Sequence, residues 1–271
     1  MKLLTVILFL FTFTANRINE TNDELAKKLI EEIRFVKYND EFDKDDFFRV
    51  NNLLVEYEIA GRFDFLKNSH EYKELIHDLF NSTNETKRVF AYRLIGIIQD
   101  ADFNDELIDR INSDEPTLLK TWSTMAVMAN KVSSASDDLF RILSSSSSGL
   151  PLDILIDKYV AYDTKAVKSS CWKFIDSKDI SEQIMAIQIL ANFEQDVNLQ
   201  KKLIEFVEQW KDEYKGWVIS SMALQKMSQL KPILSKYYEI EFLKEIIIEA
   251  LEISPSEEDN NYAEALKSKM D

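Results

Sequence analysis

From Asp23 to the end of the sequence the apolar residues return every three or four positions, and no segment sustains the strict alternation of a half-buried strand. This period predicts helices throughout. Composition removes the main alternatives. The 271 residues include only 4 glycines and 4 prolines, where average usage would supply about 19 and about 14. The tight turns of β-hairpins and the glycine-rich phosphate loops of dinucleotide folds therefore have little to be built from. Hydrophobic residues at 45% and charged residues at 30% are an ordinary balance for a chain long enough to bury a continuous core.

Start and stop signals give about a dozen helices. Leu25, Leu29, Ile33 and Val36 fall on one face of a first helix behind Thr21-x-x-Glu24, a capping box that satisfies its free N–H groups. A second helix is expected over 45–60, ending at Gly61. Ser82-x-x-Glu85, Pro116, Pro151 and Ser256-x-x-Asp259 mark further starts.

Within this pattern a small residue behind a bulky apolar one recurs at Gly96, Ala126, Ala161, Ala191 and Ala223, at spacings of 30, 35, 30 and 32. Two helices of roughly 11 residues with two short turns occupy about 30 residues, so each period holds one helical hairpin. The small residue lets the next helix approach while its bulky neighbours fill the layer between hairpins. The segments 91–98 and 186–193 carry the pattern most clearly, and they resemble HEAT-like or armadillo-type repeats. The resemblance covers residues 83–254, in units shorter than the roughly 40 residues usual for those repeats. It implies an all-α, right-handed α-α superhelix, a solenoid of about five or six helical hairpins. Residues 16–81 lack the repeat and are expected to form an N-terminal helical cap. Residues 82–271 form the array, with a lengthened serine-rich loop at 144–150 where the spacing widens to 35.

Charge narrows the partners. Lys and Arg total 33 against 48 Asp and Glu, a formal net charge of -15, which repels nucleic acid and anionic lipid alike. Met1-Lys2, the apolar run from Leu3 to Phe13 and the polar Thr14-Ala15-Asn16 read as a secretory signal peptide over 1–15. The run is too short to span a bilayer, so no membrane insertion is expected once it is removed. The chain is then exported, to a periplasm or the medium. A single cysteine, Cys171, excludes an internal disulfide and sits in an apolar helical pattern, as a buried structural thiol does.

Chemistry-bearing constellations are sparse. His70, Glu74, His77 and Asp78 share one helix face and have metal-ligand character, but no third histidine completes a di-iron pattern, and no metal or cofactor is expected. Ser170-Cys171-Trp172-Lys173 matches S-x-x-K without its companion elements. Asp45-Asp46 and Asp137-Asp138 sit at expected helix starts, where carboxylates complement the dipole. Three N-x-[ST] sequons begin at Asn19, Asn81 and Asn84. Trp122 and Trp172 lie in apolar patterns and are expected in the core. Trp210 and Trp217 bracket an expected turn over 211–216 and, with Tyr214, are the candidate partner contact.

The expected function is a non-catalytic scaffold that offers an acidic concave surface to another protein bearing a basic patch. Two alternatives remain: an immunity-type inhibitor that occludes a basic partner, and an enzyme with converging carboxylates in the groove.

Overall fold

In a computed structural model of the chain the described residues are 22–34, 48, 51–52, 54–55, 66, 69–145 and 149–269. The expected signal segment, Thr21, the side chains of Leu25 and Val36 and most of the expected helix over 45–60 lie outside them. Among the described residues every regular element is helical, as the apolar period requires. The chain divides into two compact units, Met1–Val132 and Ser133–Asp271.

The first unit contains α1 (Asn22–Arg34), α2 (His70–Phe80), α3 (Glu85–Ile98), α4 (Asn104–Asn112) and α5 (Thr117–Ala129). Helix α2 starts at Ser69, whose hydroxyl accepts from the Tyr72 N–H, and buries Tyr72, Leu75, Ile76, Leu79 and Phe80. Helix α3 starts two residues later than the Ser82 box predicts. Asn84 Oδ1 accepts from the Lys87 N–H at 3.0 Å, while Ser82 Oγ accepts from the Asn84 N–H and holds the preceding turn. Val89, Phe90, Ala91, Tyr92, Leu94 and Ile95 are all buried, because α2 and α5 cover α3 from different sides. Each large side chain so buried contributes about 1.5–3 kcal/mol.

Gly96 is where α5 comes closest. A Cβ there would stand 3.1 Å from Ala126 Cα. In the turn between α4 and α5, Glu115 has a side chain only 8% exposed. It accepts from Tyr92 Oη at 2.8 and 3.0 Å and from Arg110 Nη1 at 3.3 Å, with Arg88 Nε at 3.6 Å.

The second unit contains α6 (Ser136–Ser144), α7 (Leu152–Tyr162), α8 (Thr164–Phe174), α9 (Ile180–Ala191), α10 (Val197–Gln209), α11 (Asp212–Leu224), the one-turn α12 (Lys231–Leu234), α13 (Lys244–Ile253) and α14 (Glu257–Lys267). Helix α8 packs on α6 and α9, α9 on α11, α10 on α11, α11 on α13, and α13 on α14. Polar side chains tie successive helix pairs together. Gln225 Oε1 accepts from the Asp196 N–H at 2.8 Å while its amide donates to the Ala191 carbonyl at 3.2 Å. Ser256 caps α14 as its motif predicts. The Asp259 carboxylate, however, turns away to accept from the N–H groups of Leu230 and Lys231 and from Ser254 Oγ. In the first unit Asn130 plays the part of Gln225, donating to the Asp100 carbonyl at 2.9 Å.

The small residues do not all behave alike. Ala126, Ala191 and Ala223 are buried and Gly96 is half-buried in close contact, but Ala161 is exposed. Helix α7 buries Leu155, Tyr159 and Tyr162 at i, i+4 and i+7, which turns position 161 away from its neighbours. Trp122 and Trp172 are half-buried rather than core residues. Trp122 lies under the Arg93 guanidinium, 5.2 Å from the ring centroid, so it fills an edge instead of a centre. Cys171 is fully buried, as its surroundings predict.

Candidate binding face

The turn expected over 211–216 shrinks to Trp210 and Lys211, because α11 begins at Asp212. Asp212 and Glu213 stabilise that first turn against the helix dipole. Lys215 then folds back: its stem is buried, its Nζ donates to the Trp210 carbonyl and lies 3.6 Å from Asp212 Oδ1 and 4.8 Å from the centre of the Tyr237 ring.

The three candidate residues therefore part company. Trp210 is half-buried and stacks on Phe206 of its own helix, ring centroids 4.8 Å apart. Tyr214 is half-buried in the first turn of α11, where the adjacent Glu213 carboxylate pushes its hydroxyl pKa up. Trp217 is 47% exposed. Only Tyr214 and Trp217 lie on neighbouring turns of one helix.

Trp217 has companions that the sequence reading missed. Positions 213, 217, 220 and 224 form the outward row of α11, and positions 242, 246, 249 and 253 that of α13 and its lead-in. The register between them is set by Gly216, whose missing Cβ would lie 3.2 Å from Ile246 Cδ1 and 3.7 Å from Leu243 Cδ2. The helices run in the same direction. Gly216 near the start of α11 meets the start of α13, and Leu230 beyond the end of α11 shares the Asp259 carboxylate with Ser254 at the end of α13. Trp217 therefore follows directly on the residue that meets Leu243 and Ile246, and Leu224 and Ile253 lie at the far ends of the same two helices. Trp217, Leu224, Phe242 and Ile253 are all exposed large hydrophobics. The signal in the sequence was the surplus of apolar residues in 240–253, more than one buried helix face can use.

The carboxylates along this face divide: Glu213 lies 3.9 Å from Lys211 Nζ, whereas among the described residues Glu245 and Glu249 have no such cation. Lys244 pairs with Glu241 at 2.6 Å, Lys236 with Glu208 at 2.9 Å, and Lys267 with Glu252. Among the described residues no Lys or Arg lies within ion-pair distance of Glu245 or Glu249.

Other polar clusters are built into the packing. Ser170 Oγ donates to Asp137 Oδ1 at 2.6 Å, Lys173 pairs with Asp137, and Ser136 joins Ser170 to Tyr159. Ser170 is buried, so S-x-x-K here fastens α8 to α6. Burial raises the Asp137 carboxyl, but the hydrogen bonds from Lys173 and Ser170 and the nearby cations outweigh it and leave its pKa below the usual value. His70, Lys73, Glu74, His77 and Asp78 line a shallow depression on α2 in which His70 Nε2 lies 3.4 Å from Glu74 Oε1. Among the described residues no group of three or more His, Cys, Asp or Glu side chains is arranged to hold a metal ion.

Comparison with protein-family models, with characterised proteins and with solved structures finds no match to the chain.

Proposed function

We propose that this protein is an exported, non-catalytic scaffold, a HEAT-like or armadillo-type solenoid whose second helices present a surface to another protein. The observation that carries this reading is the character of the outward rows on α11 and α13. Helix surfaces that face only water carry charged side chains, whereas these rows carry Trp217, Leu224, Phe242 and Ile253. Aromatic anchors of that kind concentrate binding energy when a partner excludes water from them.

Contacts between residues 26 to 34 apart support the repeat. They include Lys202 with Asp176, Lys236 with Glu208, Lys231 with Glu258, and Gln225 with Ala191. Export rests on the apolar run at 3–13, and a partner with a basic patch on the net charge of -15.

The test is affinity capture by the tagged chain from the envelope and culture fluid of its source organism, set against a Trp217→Asp variant. One protein retained by the wild type, lost with the variant and released as salt rises is the expected result. Identical retention by both chains, or retention indifferent to salt, contradicts the proposal.

A further inference from the structure

The outward rows of α11 and α13 differ from the rest of the surface in three ways. First, among the described residues of the second unit the exposed large hydrophobics are Ile154, Val197, Trp217, Leu224, Phe242 and Ile253, and four of these six lie on this one face. Single exposed apolar residues are ordinary, but a contiguous group marks a contact surface.

Second, the two rows have the length and spacing that a docked helix requires. Two parallel helices in contact stand about 8–10 Å apart, and rows spanning 12 residues, 213–224 and 242–253, run for roughly 17 Å, about three turns. Their side chains fall at i, i+4, i+7 and i+11, the complement of an amphipathic helix anchored by i, i+3, i+4 and i+7 residues.

Third, the α13 row and its edge carry two carboxylates without an ion-pair partner among the described residues, whereas Glu213 in the α11 row is paired with Lys211. Glu249 lies in the α13 row and Glu245 beside it, both exposed, while Lys236, Lys244 and Lys267 are each engaged by another carboxylate. Uncompensated carboxylates at the rim of an apolar face repel an acidic peptide or an anionic bilayer and attract cations.

We propose that this face docks an amphipathic helix of a partner protein, its apolar side against Phe242, Trp217, Ile246 and Leu224 and its Lys or Arg flank against Glu245 and Glu249. The proposal rests on the protein-binding reading above and gives it a location and a partner chemistry. Specificity comes from the two components together. The apolar rows supply the contact area and the carboxylates select the sign of the flank.

The experiment uses the full chain and a fluorescein-labelled helical peptide of about 18 residues, with leucine at i, i+3, i+4 and i+7 and lysine elsewhere. Anisotropy titrations run from about 0.05 to about 0.5 M salt. The same peptide with glutamate for lysine and phosphatidylcholine vesicles serve as competing ligands. The lysine peptide is expected to bind the wild type, and the Trp217→Ala/Phe242→Ala chain at least about tenfold more weakly. Val197→Ala, an exposed apolar position off the face, should leave binding unchanged. Glu245→Gln/Glu249→Gln should weaken binding and flatten its salt dependence.

Equal affinity for the wild type and the Trp217→Ala/Phe242→Ala chain overturns the proposal, since the peptide is then held only by the overall negative field. So does equal binding of the glutamate peptide, or a preference for the vesicles. A captured partner that depends on Trp217 but not on Glu245 and Glu249 overturns the basic flank while leaving the scaffold reading standing. A chain that captures no protein removes both.

Discussion

The Cα of Ala126 lies 3.1 Å from the point where a Cβ on Gly96 would stand, and Ala126 Cβ and Ala129 Cβ lie 3.5 Å from it. Helix α5 therefore rests on α3 through backbone that cannot rotate out of the way. Gly216 in α11 meets Ile246 Cδ1 at 3.2 Å instead, the tip of a half-buried side chain that can change rotamer. The two helical glycines should respond oppositely to alanine. Each substitution gains up to about 1 kcal/mol of helix propensity. At Gly96 the overpacking cost of about 1–3 kcal/mol exceeds that gain, for a net loss of about 1 kcal/mol. At Gly216 the gain survives, for a net stabilisation of about 0.5 kcal/mol. Urea midpoints of Gly96→Ala and Gly216→Ala measure both.

Glu115 gathers Tyr92, Arg88 and Arg110 in a nearly buried position. Removing the carboxylate strands two guanidinium groups and a phenol among α3, α4 and α5. Glu115→Ala should cost about 2–3 kcal/mol, and Glu115→Gln, which keeps one acceptor, clearly less. Chemical denaturation followed by circular dichroism checks the order.

Asp137 titrates below its ordinary value of 3.8 because Lys173 and Ser170 hydrogen bond to its charged form against the opposing effect of burial. A carboxyl with a depressed folded-state pKa contributes stability above its unfolded pKa and loses it as pH falls through the folded one. The second unit should therefore weaken below about pH 4. Asp137→Asn should be less stable at pH 7 and show a shallower loss over the acid range, which melting temperatures at a series of pH values will show.

Cys171 is fully buried, and desolvation pushes its thiol well above the ordinary range. In the folded chain it should resist iodoacetamide, because the thiolate is the reacting form. Its labelling rate under mild urea should follow the unfolding of the second unit. Rapid labelling of the native chain would contradict its placement.

The helices were legible because burial imposes a 3.6-residue period on every one of them. Ser256 as a cap and Cys171 as a buried thiol followed from local sequence for the same reason. Position 161 was misread because a small residue reports close approach only when it lies on the packed side, and Leu155, Tyr159 and Tyr162 had already claimed that side in α7. Trp210 is less exposed than its place beside a turn suggests because Phe206, one turn earlier in the same helix, offers it a ring to stack on. Phe242, Ile246 and Ile253 were invisible as a site because Trp217 and Leu224 lie 18 to 36 residues away in the sequence. Only the register set by Gly216 against Ile246 joins them.

The most direct measurement replaces Trp217 with a benzophenone amino acid and irradiates the chain in the envelope fraction and culture fluid of its source organism. Glu205 on α10, exposed and off the face, takes the same group as a control. The account predicts a single protein adduct from position 217, mapped to an apolar segment flanked by lysine or arginine, and none from position 205. Matching adducts at both positions, or no protein adduct at 217, would contradict it.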